Sequence, residues 1–210
     1  MSKLGLFEVD HSKARSNGLK SPLENLIEKN VIYPLIDAMS KITNKFVNQI
    51  SIFSINIQYW IPNFYTFCSF TSRAIGLAAL FYDKYKIAAF GFLIGYLFDC
   101  LDGYYARKYD QCTNFGCYFD HINDIIMTLL LFVISIHKRM YLTSLLIVFL
   151  GLFSVNQAIY DENHFNNSSP FFNFVVNKFE NIHLLDKSFI PLFGTSTWVM
   201  LVFFSIFVKQ

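Results

Sequence analysis

Apolar residues spaced three to five positions apart predict a helix in the segment after Leu23. Glu, Lys, Asn and Asp occupy the positions between them. This spacing places the apolar side chains on one face of an amphipathic helix, with an interruption expected at Pro34. Because apolar runs follow, we interpret residues 23–60 as a juxtamembrane region whose helix lies in the membrane interface. A soluble helical hairpin is the alternative. The apolar positions are Leu26, Ile27, Val31, Leu35, Ile36, Met39, Ile42 and Phe46.

Five later runs are long and apolar enough to cross a bilayer, which takes about 20 apolar helical residues. They cover about 64–82, 87–105, 115–136, 140–159 and 188–208. The stretch 168–186 contains too many Asn, Lys, Glu and Asp residues for us to predict a sixth span. The pattern therefore predicts an all-α, polytopic membrane helical bundle with five transmembrane helices, and a sixth span stays open.

Composition supports a membrane protein over an ordinary soluble one. The chain has 210 residues, 54% of them hydrophobic and 15% charged, and its mean hydropathy is +0.38, whereas soluble domains carry about 25% charged residues. The net charge of +2 gives no reason to expect nucleic-acid binding. Residues 1–22 lack the apolar stretch of a signal peptide and are expected to form a mobile polar tail, with the transmembrane domain at 61–210.

Lys and Arg residues predict the orientation. With the N-terminus in the cytoplasm, eleven of them lie on the cytoplasmic side and five on the other, while Arg73 lies within the first span. The excess favours that orientation. It also places the 159–187 connection in the cytoplasm, so the sequons at Asn166 and Asn167 would not be glycosylated.

The four cysteines, at positions 68, 100, 112 and 117, have no Cys-x-x-Cys spacing. Neither a disulfide framework nor a zinc site is indicated, and we interpret them as packing residues.

Four aspartates lie where the second and third spans meet. Asp99 and Asp102 are three residues apart, and Asp120 and Asp124 are four apart, so each pair projects from one helix face. In an antiparallel hairpin all four come to the same depth. Carboxylates in spanning helices cost about 2.5–3.5 kcal/mol each, so four cost on the order of 10 kcal/mol. Packing alone does not explain such a cluster, and the mutual repulsion predicts two bound divalent cations, Mg²⁺ or Mn²⁺.

Small residues repeat along the same side of the second span. Gly91, Gly95, Asp99, Gly103 and Arg107 recur every four residues. Gly91 and Gly95 are equally well explained as a close helix contact. Gly103 and Ala106 are flanked by carboxylates and Arg107, which favours a nucleotide lying against bare backbone there.

The run DCLDGYYARKYDQCTNFGCYFDHIND resembles the signature of the CDP-alcohol phosphotransferases. That signature has eight fixed positions, all present here: Asp99, Asp102, Gly103, Ala106, Arg107, Gly116, Asp120 and Asp124. Pro62, Asn63 and Thr66 also resemble the start of the first span in that family.

The resemblance implies transfer of a substituted phosphate from a CDP-linked donor to an alcohol hydroxyl, with release of CMP at the cytoplasmic membrane face. One of the two substrates would be a lipid, and a homodimer is also implied. By the family pattern the four aspartates hold the two metals, and Asp124 is the suspected general base. Asp102, Gly103, Ala106, Arg107 and Gly116 would contact the CDP moiety, and Asn63 and Thr66 would also bind substrate.

His121 is a second candidate base, because a histidine pKa near 6.5 suits proton abstraction at neutral pH. It points about 100° away from Asp120 on a helix, which favours Asp124. The sequence Phe-Asp-His resembles the branch that uses CDP-choline or CDP-ethanolamine with diacylglycerol. The other branch uses CDP-diacylglycerol with glycerol phosphate, inositol or serine, and both stay open.

Two other kinds of membrane protein are alternatives to such an enzyme. A cation transporter would place its carboxylates near the membrane midplane, often between inverted repeats, whereas these lie at one end of the spans. An inactive membrane scaffold would be expected to have lost at least one metal ligand, and all four aspartates are present.

Overall fold

The computed structural model describes residues 29–30, 33–50, 60–165 and 195–209, and the regular structure in these ranges is helical apart from a single bridge residue. This agrees with the predicted all-α class. The helices are α1 (Tyr33–Ile50), α2 (Ile61–Phe81), α3 (Tyr85–Lys108), α4 (Asn114–His137), α5 (Tyr141–Phe165) and α6 (Thr195–Phe207).

Helices α2, α3 and α4 are long and apolar enough to cross a membrane. They correspond to the first three predicted spans, with ends that differ by a few residues. The described apolar parts of α5 and α6, Tyr141–Val155 and Thr197–Phe207, are shorter, so the fourth and fifth spans stay predictions. The tail 1–22, both sequons and the polar stretch 168–186 lie outside the described residues.

The turns that join α2 to α5 share one backbone arrangement. Asp83, Asp110 and Arg139 each have a positive φ, at 59°, 56° and 54°. After α2, for example, the Asp83 amide donates to the Leu80 carbonyl and the Lys84 amide to that of Ala79. This is the Schellman pattern, which satisfies the last carbonyls of a helix and reverses the chain within a few residues. The short turns make neighbouring helices antiparallel, as the hairpin prediction requires.

Helices α2 and α3 lie very close together. A Cβ added at Gly91 would stand 2.8 Å from the Gly76 Cα and 2.9 Å from the Ser72 carbonyl oxygen. Only a residue without a side chain allows backbones to approach this closely. These surroundings support the interpretation of Gly91 as a close contact between helices.

Two apolar clusters hold the described bundle together. The first contains Leu80 and Ala88 from the α2–α3 turn region, Leu131 from α4, and Ile206 from α6. Aromatic contacts of Phe90 with Phe203 and Phe207 join α3 to α6. The second cluster contains Tyr65, Leu101 and Tyr105. It lies at the start of α2 and the end of α3, which is the end of α3 that carries Asp99 and Asp102.

Helix α1 packs across that second cluster. Its Ile36 is buried there, and the Tyr105 hydroxyl donates to the Asn44 side-chain oxygen at 2.5 Å. Pro34 lies in the first turn of the helix, where a missing amide costs no hydrogen bond. Leu35 and Ile42 stay exposed. Part of the apolar face thus contacts protein, and the position of α1 at a membrane interface stays a prediction.

Candidate functional site

Three of the four aspartates meet between α3 and α4. Asp99, Asp120 and Asp124 each offer a carboxylate oxygen, and these oxygens all lie within 4.8 Å of one another. The four-residue spacing of Asp120 and Asp124 predicted from the sequence that these two lie on one side of α4. Hard oxygen ligands at this separation match the chemistry of Mg²⁺ or Mn²⁺.

The surroundings of the Asp120 carboxylate indicate whether the cluster suits a metal ion. Its Oδ1 atom is buried and has no hydrogen-bond partner among the described residues. A buried carboxylate oxygen without a donor carries a desolvation cost that a bound cation would offset. The donor set and this orphaned oxygen therefore fit a divalent ion.

Asp102 is not part of the three-residue group, although all four carboxylates were expected to converge. It is buried, and its Oδ2 accepts a hydrogen bond of 2.6 Å from the Thr66 hydroxyl. The same hydroxyl lies 3.2 Å from the Pro62 carbonyl oxygen. Asp102 thus ties α3 to the first turns of α2, and Thr66, expected to bind substrate, contacts this carboxylate.

Arg73 of α2 lies among the aspartates and was not assigned a role from the sequence. Its Nη2 donates to the Asp99 Oδ1 at 2.7 Å, and its Nη1 donates to the Asp124 Oδ1. The side chain is only 12% exposed. A lone basic residue inside an apolar span was the available signal, because such a charge requires a partner.

Gly95 makes room for that arginine. A Cβ added at position 95 would lie 2.5 Å from the Arg73 Cγ and 3.2 Å from its Nε. The stripe of small residues on α3 therefore has two structural uses: Gly91 admits the α2 backbone, and Gly95 admits the Arg73 side chain.

Gly103, Ala106 and Arg107 follow the aspartates toward the end of α3. A Cβ added at Gly103 would lie 3.1 Å from the Arg107 Nη1, so the guanidinium lies against bare backbone. Arg107 is exposed. An exposed guanidinium presents donors in a planar fork suited to phosphate oxygens.

Gly116 and Asn63 lie together at the start of α4. The Gly116 amide donates to the Thr113 hydroxyl at 3.0 Å, which caps the helix. A Cβ at Gly116 would lie 3.0 Å from the Asn63 Oδ1. That amide oxygen is buried and has no hydrogen-bond partner among the described residues, so it can accept a donor from a ligand.

The His121 side chain contacts Cys117 in the preceding turn of α4. Its Nδ1 lies 2.7 Å from the Cys117 carbonyl oxygen and 3.8 Å from the Cys117 Sγ. If Nδ1 carries the proton and donates to that carbonyl, Nε2 remains a proton acceptor. Nδ1 is 4.0 Å from the Asp120 Oδ2, so the histidine is a neighbour of the carboxylate group.

The rim of the site carries an ion pair between α1 and α3. Lys108 and Lys41 both contact Asp37. The hydrogen bond from Lys108, then that from Lys41, lowers the pKa of Asp37 to about 2. Asp37 is therefore ionised at neutral pH and joins α1 to the end of α3 that carries Arg107.

Comparison with known proteins identifies a protein family. A model of the CDP-alcohol phosphatidyltransferase family matches residues 59–206, a range that contains every residue of the site described above apart from the α1 ion-pair residues Asp37 and Lys41. A search of curated proteins and a search of solved structures found no match.

Proposed function

The chain belongs to the CDP-alcohol phosphatidyltransferase family, a membrane-bound family of enzymes that transfer phosphate groups in lipid synthesis, and we propose the reaction in finer terms. A substituted phosphate passes from a CDP-linked donor to an alcohol hydroxyl, and CMP is released. One substrate is a lipid and the other is water-soluble. The convergence of Asp99, Asp120 and Asp124 carries this proposal.

Two divalent ions, Mg²⁺ or Mn²⁺, held by Asp99, Asp102, Asp120 and Asp124, would draw charge off the pyrophosphate and stabilise the leaving CMP. The Asp120 Oδ1, which is buried and has no hydrogen-bond partner in the described part of the chain, supports such a role. Thr66 contributes by holding the Asp102 carboxylate in one orientation through its hydrogen bond.

The CDP moiety would lie along the ends of α3 and α4. Arg107 is exposed and lies against Gly103, so its guanidinium can pair with donor phosphate oxygens. The absence of a side chain at Gly103 and the small one at Ala106 would leave room for the CDP moiety once Arg107 turns toward it. Gly116 leaves room beside Asn63, whose buried amide oxygen lacks a described partner. That oxygen suits an amino or hydroxyl donor of the nucleoside.

Asp124 is our choice for the base that takes the proton of the acceptor hydroxyl. Its side chain is 45% exposed, the most open of the three clustered carboxylates, so an acceptor can reach it. Arg73 engages one of its oxygens, which leaves Oδ2 for the proton. His121 is the alternative base, because an imidazole whose Nδ1 proton is donated to the Cys117 carbonyl has Nε2 as its proton acceptor.

Release of CMP by the purified protein tests the function and identifies the donor. CDP-choline and CDP-ethanolamine are supplied with diacylglycerol, and CDP-diacylglycerol is supplied with glycerol phosphate, inositol or serine. We expect release with one donor class, loss of that release in chelator, and loss in Asp120→Asn. Asp83→Asn, at the opposite end of the spans, is the matched control and should stay active. Full activity in excess chelator would contradict the metal-dependent reaction.

The active site is placed on the cytoplasmic side because of the distribution of basic residues in the sequence. A homodimer is part of the same proposal. The outer face of α4 exposes large apolar side chains at Leu129 and Val133, which suits lipid or a second copy. Cross-linking in lipid vesicles, read as a dimer band, tests the dimer.

A further inference from the structure

Arg73 interacts with two of the carboxylates proposed as metal ligands. One guanidinium nitrogen donates to Asp99 and the other to Asp124, each through the Oδ1 atom. Asp99 lies on α3 and Asp124 on α4, so a single side chain of α2 bridges the two helices. The positive charge of the Arg73 guanidinium thus already lies among the carboxylates.

The position of Arg73 is determined by helix packing. The missing side chain of Gly95 leaves the space through which the arginine passes, since a Cβ there would lie 2.5 Å from the Arg73 Cγ. A buried charge needs an opposite charge nearby. Arg73 on one side and Asp99 and Asp124 on the other supply opposite charges to each other within the protein.

We propose that Arg73 is an internal counterion that holds Asp99 and Asp124 together without metal and competes with divalent cations for them. The inference rests on the proposed metal site. Arg73 offsets the charge of one of the three clustered carboxylates, and its positive charge repels an incoming cation. Metal loading is therefore weaker than the aspartates would give without the arginine, and the protein stays assembled when metal is scarce.

An alternative role for Arg73 predicts the opposite result. If the arginine only orients Asp99 and Asp124 as ligands, its removal lowers metal affinity, as loss of outer-shell partners does. Under the counterion role, removal raises metal affinity and makes the metal-free protein less stable. The sign of the change in affinity separates the two.

The test measures Mn²⁺ binding by electron paramagnetic resonance on the full chain in detergent, and thermal unfolding with chelator or with Mn²⁺. Arg73→Met should bind Mn²⁺ at least about tenfold more tightly, because a like charge is removed at short range. Its Tm should be well below wild type in chelator, and the difference should shrink in saturating Mn²⁺. Arg73→Lys, which keeps the charge, should stay close to wild type.

Two further variants serve as a control and as an independent test. Arg139→Met makes the same substitution at an exposed turn beyond the opposite end of α4 and should leave Mn²⁺ affinity unchanged. Gly95→Ala should push Arg73 away from the carboxylates and reproduce the tighter binding, even if Arg73→Met does not fold. Unchanged or weaker Mn²⁺ binding in Arg73→Met, or in Gly95→Ala where the former does not fold, overturns the proposal. Because this readout is metal binding, tighter binding without CMP release would sustain the counterion role while rejecting the proposed reaction.

Discussion

Replacing Gly91 with alanine should destabilise the protein, whereas the same change at Gly151 should not. At position 91 the new methyl would lie 2.8 Å from the Gly76 Cα and 2.9 Å from the Gly76 nitrogen and the Ser72 carbonyl oxygen. At position 151 no heavy atom lies within 4 Å. Both glycines are in helices, so both variants gain the same helix propensity, about 1 kcal/mol.

The difference between the two variants isolates the cost of overpacking. Carbon atoms pack best at about 3.5–4.0 Å, so α2 and α3 would have to separate by roughly 1 Å at Gly91. The atoms met there are backbone atoms, which cannot rotate away as a side chain can. Overpacking of this kind costs about 1–3 kcal/mol. Gly91→Ala should therefore be less stable than Gly151→Ala by about that amount.

Thermal unfolding of both variants in the same detergent measures the difference, which corresponds to about 2–4 °C of Tm per kcal/mol for a chain of this size. CMP release should also fall in Gly91→Ala, because Thr66 and Arg73 on α2 contact Asp102 and Asp99 on α3. Equal Tm values for the two alanine variants would refute the close approach of the helices.

Three further predictions concern catalysis, orientation and pH. Asp124→Asn should cost at least the 10²–10⁴-fold in kcat typical of a general base, and His121→Asn should cost little; equal losses with normal Mn²⁺ binding in His121→Asn would move the role of base to the histidine. Single cysteines at Lys108 and Lys84, in a chain without the native cysteines, should react with an impermeant reagent from opposite sides of a vesicle, and labelling from one side would overturn the orientation. Because the pKa of Asp37 is lowered to about 2 in the folded protein from about 3.9 when unfolded, its ion pairs stabilise α1 fully above about pH 5 and lose that effect progressively as pH falls toward 2. Asp37→Asn should therefore have a lower Tm than wild type at pH 6, with the gap closing toward pH 2, and a gap independent of pH would contradict the assignment.

The local features of the site could be predicted from the sequence because they depend on helix periodicity. Spacings of three and four residues place Asp99 with Asp102, and Asp120 with Asp124, on single helix faces whatever the rest of the chain does. Long apolar runs predicted α2, α3 and α4 for the same reason, since length and composition decide whether a helix can span a bilayer.

Contacts between helices were decided by the tertiary structure. The rotation and separation of α2 relative to α3 bring Thr66 to Asp102 and thread Arg73 past Gly95 to Asp99. Neither parameter follows from a repeat within one helix, because both result from packing against several neighbours at once. The sequence by itself therefore determined which side chains line each helix face, and only the packed bundle decided that an arginine from another helix lies among the aspartates.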